Sequence, residues 1–130
     1  MLPFDIIDTG NARVFKTAWF TRAVRKARIK DAALCEAILD VMKGLADDLG
    51  GGVYKKRLNR NMHRSIVLAK GGRYWIYAYL FAKKDRANID NDELDDFRAL
   101  ARGYASLNDE QVARLLEDND LTEICHDDER

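Results

Sequence analysis

The chain of 130 residues is short of the side chains on which many enzyme sites are built: it has two histidines, two cysteines and a single proline. It has no apolar run near the roughly 20 residues of a membrane span. The start, MLPFDIIDTG, has neither a basic n-region nor a small-residue cleavage site, so the expected location is the cytoplasm. Cys35 falls within AALCEAIL, where a small buried thiol is expected, and Cys125 lies near an acidic tail. No C-x-x-C links them, so neither a disulfide framework nor a zinc site is expected. The glycines Gly50 to Gly52 are not followed by Gly-Lys-Ser/Thr; they read as a helix stop and a flexible lead into a strand, not a phosphate loop. Ser65 and Ser106 lack an identifiable base, and DNDELDD has no calcium-loop spacing.

Net charge is also missing, and its absence hides a division. Between Asn11 and Asn88 there are 18 Lys and Arg against 6 Asp and Glu, whereas from Ile89 to Arg130 there are 4 against 14. A basic body of this kind favours a polyanion, with nucleic acid the commonest. The alternative is that the two blocks face and neutralise each other. The acidic C-terminal helices would then shield the basic face, or else hold a partner.

The periodicities describe one α+β domain over residues 1–130, with an acidic C-terminal helical extension. RVFKT can form an edge strand. AWFTRAVRKA sets Phe20, Ala23, Val24 and Ala27 at helical spacing beneath a basic face. Asp31 is a candidate N-cap for a second helix carrying Leu34, Ile38, Val41 and Leu45, which ends near DDLGGG. From Val53 the period becomes two, giving antiparallel strands at about 53–59, 64–69 and 73–81, with Gly71 and Gly72 between the last two. Asn91 or Asp90 can cap a helix bearing Leu94, Phe97, Ala101 and Tyr104. Asn108 can cap another, and Leu121 and Ile124 form a short strand or a packed tail.

Strand alternation puts Lys55 and Arg57 on one face of the first of these strands, with Tyr54 and Leu58 on the other under the helices. Arg64 lies across a tight connection from Arg57 or Arg60, and Lys83, Lys84 and Arg86 follow the third strand. At period two, Trp75, Tyr77, Tyr79 and Phe81 share a face, so Tyr79 and Phe81 border the cations. Close like charges on a rigid sheet suit a phosphodiester. Arginines grip its oxygens, and Lys55 or Lys83, crowded by other cations, is the candidate proton acceptor. His63, beside Arg64, is either an acid–base group or an incidental polar residue; His126 reads as tail. On an exposed sheet the same cations can also serve only to discourage aggregation.

The segments VFKTAWFTRAVRKARIKDAALCEAI, GGVYKKRL and FAKKDRANIDNDEL together resemble the RelE/HigB-like toxins of bacterial type II toxin–antitoxin systems, over about residues 13 to 124. Phe81 to Ile89, with its F-A-K-x-x-R-A-N-I pattern, is the most specific part. The resemblance implies a RelE-like microbial RNase fold: two N-terminal helices, a central antiparallel sheet and C-terminal helices. It implies a ribosome-dependent mRNA endoribonuclease that works with scattered basic residues and without metal or other cofactor. By motif position the basic residues that carry over are Lys55, Arg57, Arg64, Lys83 and Arg86; the expected catalytic set is Lys55, Arg57, Arg64 and Lys83, and the reading of the residues adds Arg60, His63, Tyr79 and Lys84, beside Arg86, as expected substrate contacts. The implied partner is a helix-turn-helix antitoxin, with no membrane. Where relatives have a GKSGG-like loop, this chain has only NRNMHR, so the alternative is a catalytically attenuated protein that retains binding alone.

Overall fold

The structure, a computed structural model, describes residues 12–71 and 73–125; His126 and Gly72 lie outside the described residues. The elements in chain order are β1 (Arg13–Thr17), α1 (Ala18–Ala27), α2 (Asp31–Met42), β2 (Asp47–Gly50), β3 (Val53–Leu58), β4 (His63–Lys70), β5 (Tyr74–Ala82), α3 (Asn91–Ala105), α4 (Asp109–Glu117) and β6 (Leu121–Ile124). The six strands form one sheet in the order β2-β3-β4-β5-β1-β6, so the class is α+β as expected. The sheet is mixed and not wholly antiparallel, because β1 runs parallel to β5.

Helices cover both sheet faces. Phe20, Val24, Leu34 and Ile38 of α1 and α2 pack on Val14, Leu58, Val67, Trp75 and Tyr77. On the other side Ala101 of α3 and Val112 of α4 join Phe15, Val53, Ile66, Leu68 and Ile76. This double burial explains why β4 and β5 are apolar on both faces. It also corrects the placing of β1 at an edge. Val14 and Phe15 point to opposite faces and neither is exposed, so the strand needs a neighbour on each side and takes β5 and β6.

Local capping followed the sequence where the signals were strongest. Asp90 and Glu93 close a capping box on α3, as Asn108 and Gln111 do on α4, each satisfying two orphan amide groups. At α2 the expectation fails: Lys30 is the N-cap, and Asp31 is the first helical residue. There the Asp31 carboxylate suits the helix dipole and takes the Nζ of buried Lys16 at 2.8 Å. The helix stops at Met42, leaving Leu45 exposed, and DDLG forms β2 instead of a helix end. Gly50, Gly51 and Gly52, at φ 84°, 66° and 83°, make the turn into β3. They also seat Arg98 of α3: a Cβ at Gly51 would lie 2.8 Å from its Cγ. Arg98 donates to the carbonyls of Leu49 and Gly50, tying α3 to the hairpin.

One further expectation is corrected. Cys35 and Cys125 form a disulfide with Cα atoms 5.4 Å apart, although 90 residues separate them. The close C-x-x-C spacing applies to metal and redox motifs; this pair is assembled by β6 lying beside β1 under the start of α2. The tail is therefore part of the sheet: removing residues from Asn108 onward takes away buried Leu121 and Ile124 and the disulfide, and so tests the fold before any interface. Among the described residues no helix is long and apolar enough to cross a membrane.

Candidate nucleic-acid interface

The β3–β4 hairpin fixes the geometry of the cations. Its register pairs Lys55 with Ile66 and Arg57 with Arg64, and the β4–β5 register pairs Ile66 with Tyr79 and Arg64 with Phe81. Directly paired residues share a sheet face. Thus Val53, Lys55 and Arg57 descend one face of β3, from a fully buried residue under α3 to an exposed arginine at the turn end. α3 covers the Val53 end of this face, and the cations occupy the uncovered end.

The aromatic face is also corrected. Between Ile66 and Val67 the register to β5 shifts: Ile66 faces Tyr79 while Val67 faces Tyr77, so Ala78 is an extra residue. The bulge reverses the alternation. Trp75 and Tyr77 point toward α1 and α2, while Tyr79 and Phe81 emerge on the α3 face with Arg57 and Arg64. Tyr77 is wholly buried, its hydroxyl donates to the Leu34 carbonyl at 2.6 Å, and burial pushes its titration well above the ordinary phenol range.

The cations differ in what already holds them. Lys55 has an Asp47 oxygen at 3.6 Å, and both line a cleft of about 350 Å³ with Lys56 and Arg57. Lys56 points to the other face and pairs with Asp40 at 3.0 Å. Arg57 makes no ion pair among the described residues. Among the described residues Arg64 donates only to the carbonyls of Asn61 and His63, at 3.0 and 3.2 Å. Lys83 stands one residue beyond β5, its amide donating to the Met62 carbonyl, so it shares the turn end of the sheet. With Arg60, His63 and Lys84 it lines a second cleft of about 470 Å³. His63 alternates to the face opposite Arg64 and its Nδ1 lies 3.2 Å from the Asn59 amide nitrogen. The structure therefore gathers Lys55, Arg57, Arg64, Tyr79 and Phe81 on one face, and sets Arg60, His63, Lys83 and Lys84 around the adjoining turn.

Arg86 sits over the Phe81 ring, 5.6 Å from its centroid. All three of its guanidinium nitrogens are engaged: Nε with the Asn88 carbonyl, and the other two with the Glu93 carboxylate. The pair pushes Arg86 further above its already high range, and the Arg86 hydrogen bonds, followed by the Asp90 amide, hold Glu93 below the usual carboxylate range. A carboxyl depressed in the fold contributes stability that is present above its unfolded value, about 4.3, and lost as pH falls through the lower folded one. Glu93→Gln keeps the capping box but not the charge. It is therefore expected to melt below the wild type at pH 7, with the gap narrowing as the pH is lowered below the unfolded value of about 4.3; a gap that does not change with pH would refute this role.

The β3–β4 connection, Asn59 to Met62, carries three successive left-handed residues, Asn59, Arg60 and Asn61 at φ 54°, 54° and 70°. Asparagine tolerates that region; arginine adopts it at a cost. Sequence reasoning passed over Trp19, which is 43% exposed and stacks on Tyr79. The available signal was its place at the start of a helix whose Arg22 and Lys26 follow at intervals of three and four.

Residues 12–124 match the family model described as RelE toxin of RelE / RelB toxin-antitoxin system. No curated protein matches the chain.

Proposed function

The chain belongs to the RelE toxin family, toxins of toxin–antitoxin systems, and from that premise we propose that it is an endoribonuclease that cuts mRNA in the ribosomal A site without a metal. We further propose that a helix-turn-helix antitoxin neutralises it. The observation that carries this reading is the direct pairing of Arg57 with Arg64 at the uncovered end of a sheet face. Two like charges across one ladder rung repel, so the arrangement makes sense when an anion sits between them. A phosphodiester in flight is such an anion.

Cleavage requires a proton taken from the 2′-hydroxyl, charge stabilised on the non-bridging oxygens, and a proton given to the leaving 5′-oxygen. Arg57 and Arg64 suit the second task, since a guanidinium fork matches two oxygens at once. Lys55, on the same face as Arg57 and held only by an exposed Asp47, suits contact with the 2′-hydroxyl. Lys83, on the turn next to the row, suits the leaving-group side. Arg86 is better cast as the anchor that seats Phe81 and α3, since its nitrogens are already taken.

One observation favours a second reading, that of an attenuated protein which binds without cutting: the connection before Arg64 is only four residues and has no lysine or glycine. Inducible expression separates the two. Growth arrest accompanied by cut codons in ribosome-bound mRNA is the expected result; a chain that binds its antitoxin but leaves mRNA intact would give the case to the second reading.

A further inference from the structure

Trp19 is the outermost member of an aromatic ladder. It stacks on Tyr79 with ring centroids 4.9 Å apart and planes at 30°, and Tyr79 is backed by Phe97 of α3 at 5.7 Å and Phe81 at 6.0 Å. Tyr79 stacks on the indole, and 43% of Trp19 remains exposed. The ladder stands beside β5 beyond Tyr77, where β1 no longer pairs and α1 flanks the strand. A groove of about 450 Å³ opens there, lined by Trp19, Lys26, His63, Tyr79, Phe81 and Lys84 among others, with Asp85 also on its wall. Phe81 pairs with Arg64 in register, so the groove adjoins the cationic row.

Charge indicates the occupant. No acidic residue occurs in α1, and Trp19, Arg22 and Lys26 follow one another at intervals of three and four along one helix face. Arg22, Arg25 and Lys26 are exposed and make no ion pair among the described residues. An open aromatic face flanked by unneutralised cations is the combination that holds single-stranded nucleic acid, with the base on the ring and the backbone along the charges.

We propose that Trp19 stacks one base of single-stranded RNA beside the cleavage face, with Lys26 and Lys84 holding the adjoining phosphates. This rests on the nuclease reading for the identity of the RNA, and it adds a base subsite contributed by α1.

The probe is a fluorescein-labelled 2′-O-methyl hexaribonucleotide, which cannot be cut because its 2′-oxygens are blocked. Anisotropy titration is expected to show binding by the wild type, weakened about 5- to 150-fold in Trp19→Ala, the range of one stacked base. Trp19→Phe keeps a ring and the fold, and should bind within about threefold of wild type. Tryptophan fluorescence should be quenched on binding in the wild type and not in Trp19→Phe, because Trp75 is buried. Lys26→Ala should reduce the slope of log affinity against log salt by about 0.7. No binding by the wild type, unchanged affinity in Trp19→Ala, or an effect of Trp19→Ala confined to a protein partner would overturn the proposal. Because the probe cannot be cut, the two readings fail separately. Binding through Trp19 without mRNA cleavage sinks only the nuclease; cleavage with Trp19-independent binding sinks only the ladder.

Discussion

Arg57→Ala is expected to abolish growth arrest and slow mRNA cleavage on the ribosome by about 10²- to 10³-fold, the usual effect of removing one group that stabilises transition-state charge. It should do so without lowering the melting temperature. The side chain is exposed and makes no ion pair among the described residues, and its cross-strand neighbour is another cation. Removing it relieves repulsion, so stability should stay level or rise by a few tenths of a kcal/mol. Loss of activity with stability kept marks a residue retained for function. Arg64→Ala should be as inactive but slightly less stable, because Arg64 also donates to the Asn61 and His63 carbonyls that shape the turn. Lysine at position 57 should recover only part of the rate, since an ammonium cannot make the two parallel hydrogen bonds of a guanidinium. Single-turnover cleavage of a programmed ribosome, measured beside a thermal melt, checks all three. Wild-type rates in Arg57→Ala would remove the cationic row from the chemistry.

The Arg57–Arg64 row was legible in the sequence because a hairpin's register follows from local alternation and a short connection. The capping boxes at Asp90 and Asn108 were legible for the same reason: each is complete within four residues. What escaped depends mostly on tertiary packing. The Ala78 bulge, which turns Tyr79 and Phe81 toward the cations, is set by how β5 pairs with β4 and leaves no mark in YWIYAYLFA. The interior place of β1 depends on β6, more than a hundred residues later. Arg86 looked like one more phosphate contact because its occupation by Glu93 depends on how the chain folds back between β5 and α3. Trp19 was hidden by its own type, since tryptophan next to a buried Phe20 reads as core until its exposure is known.

The same distinction between local and distant contacts makes the Cys35–Cys125 bond the feature with the largest expected effect on stability. It closes a loop of 90 residues in the unfolded chain, and chain-entropy reckoning for such a loop gives an upper figure of about 4.5 kcal/mol. Native relaxation usually leaves less, so reduction is expected to cost about 2–4 kcal/mol and to lower the melting temperature by roughly 10 °C. The loss should be concentrated at one end of the sheet. Cys125 directly follows β6, a strand of four residues that covers the outer edge of β1. Once untethered, β6 holds its place through its short ladder with β1, buried Leu121 and Ile124, and the Arg13–Glu123 ion pair at 2.7 Å. Amide exchange should therefore quicken first in β1 and β6, while β3 and β4 keep their protection. Cys35→Ala with Cys125→Ala should reproduce the reduced protein, since the freed Cys35 position lies in an apolar core that accepts a small side chain. A reducing cytoplasm disfavours such bonds, so on the proposed reading of a nuclease at the ribosome the working form is the dithiol, with β6 untethered. Melts of the oxidised, reduced and doubly substituted chains that coincide would show that the bond contributes nothing to stability and that packing alone holds β6.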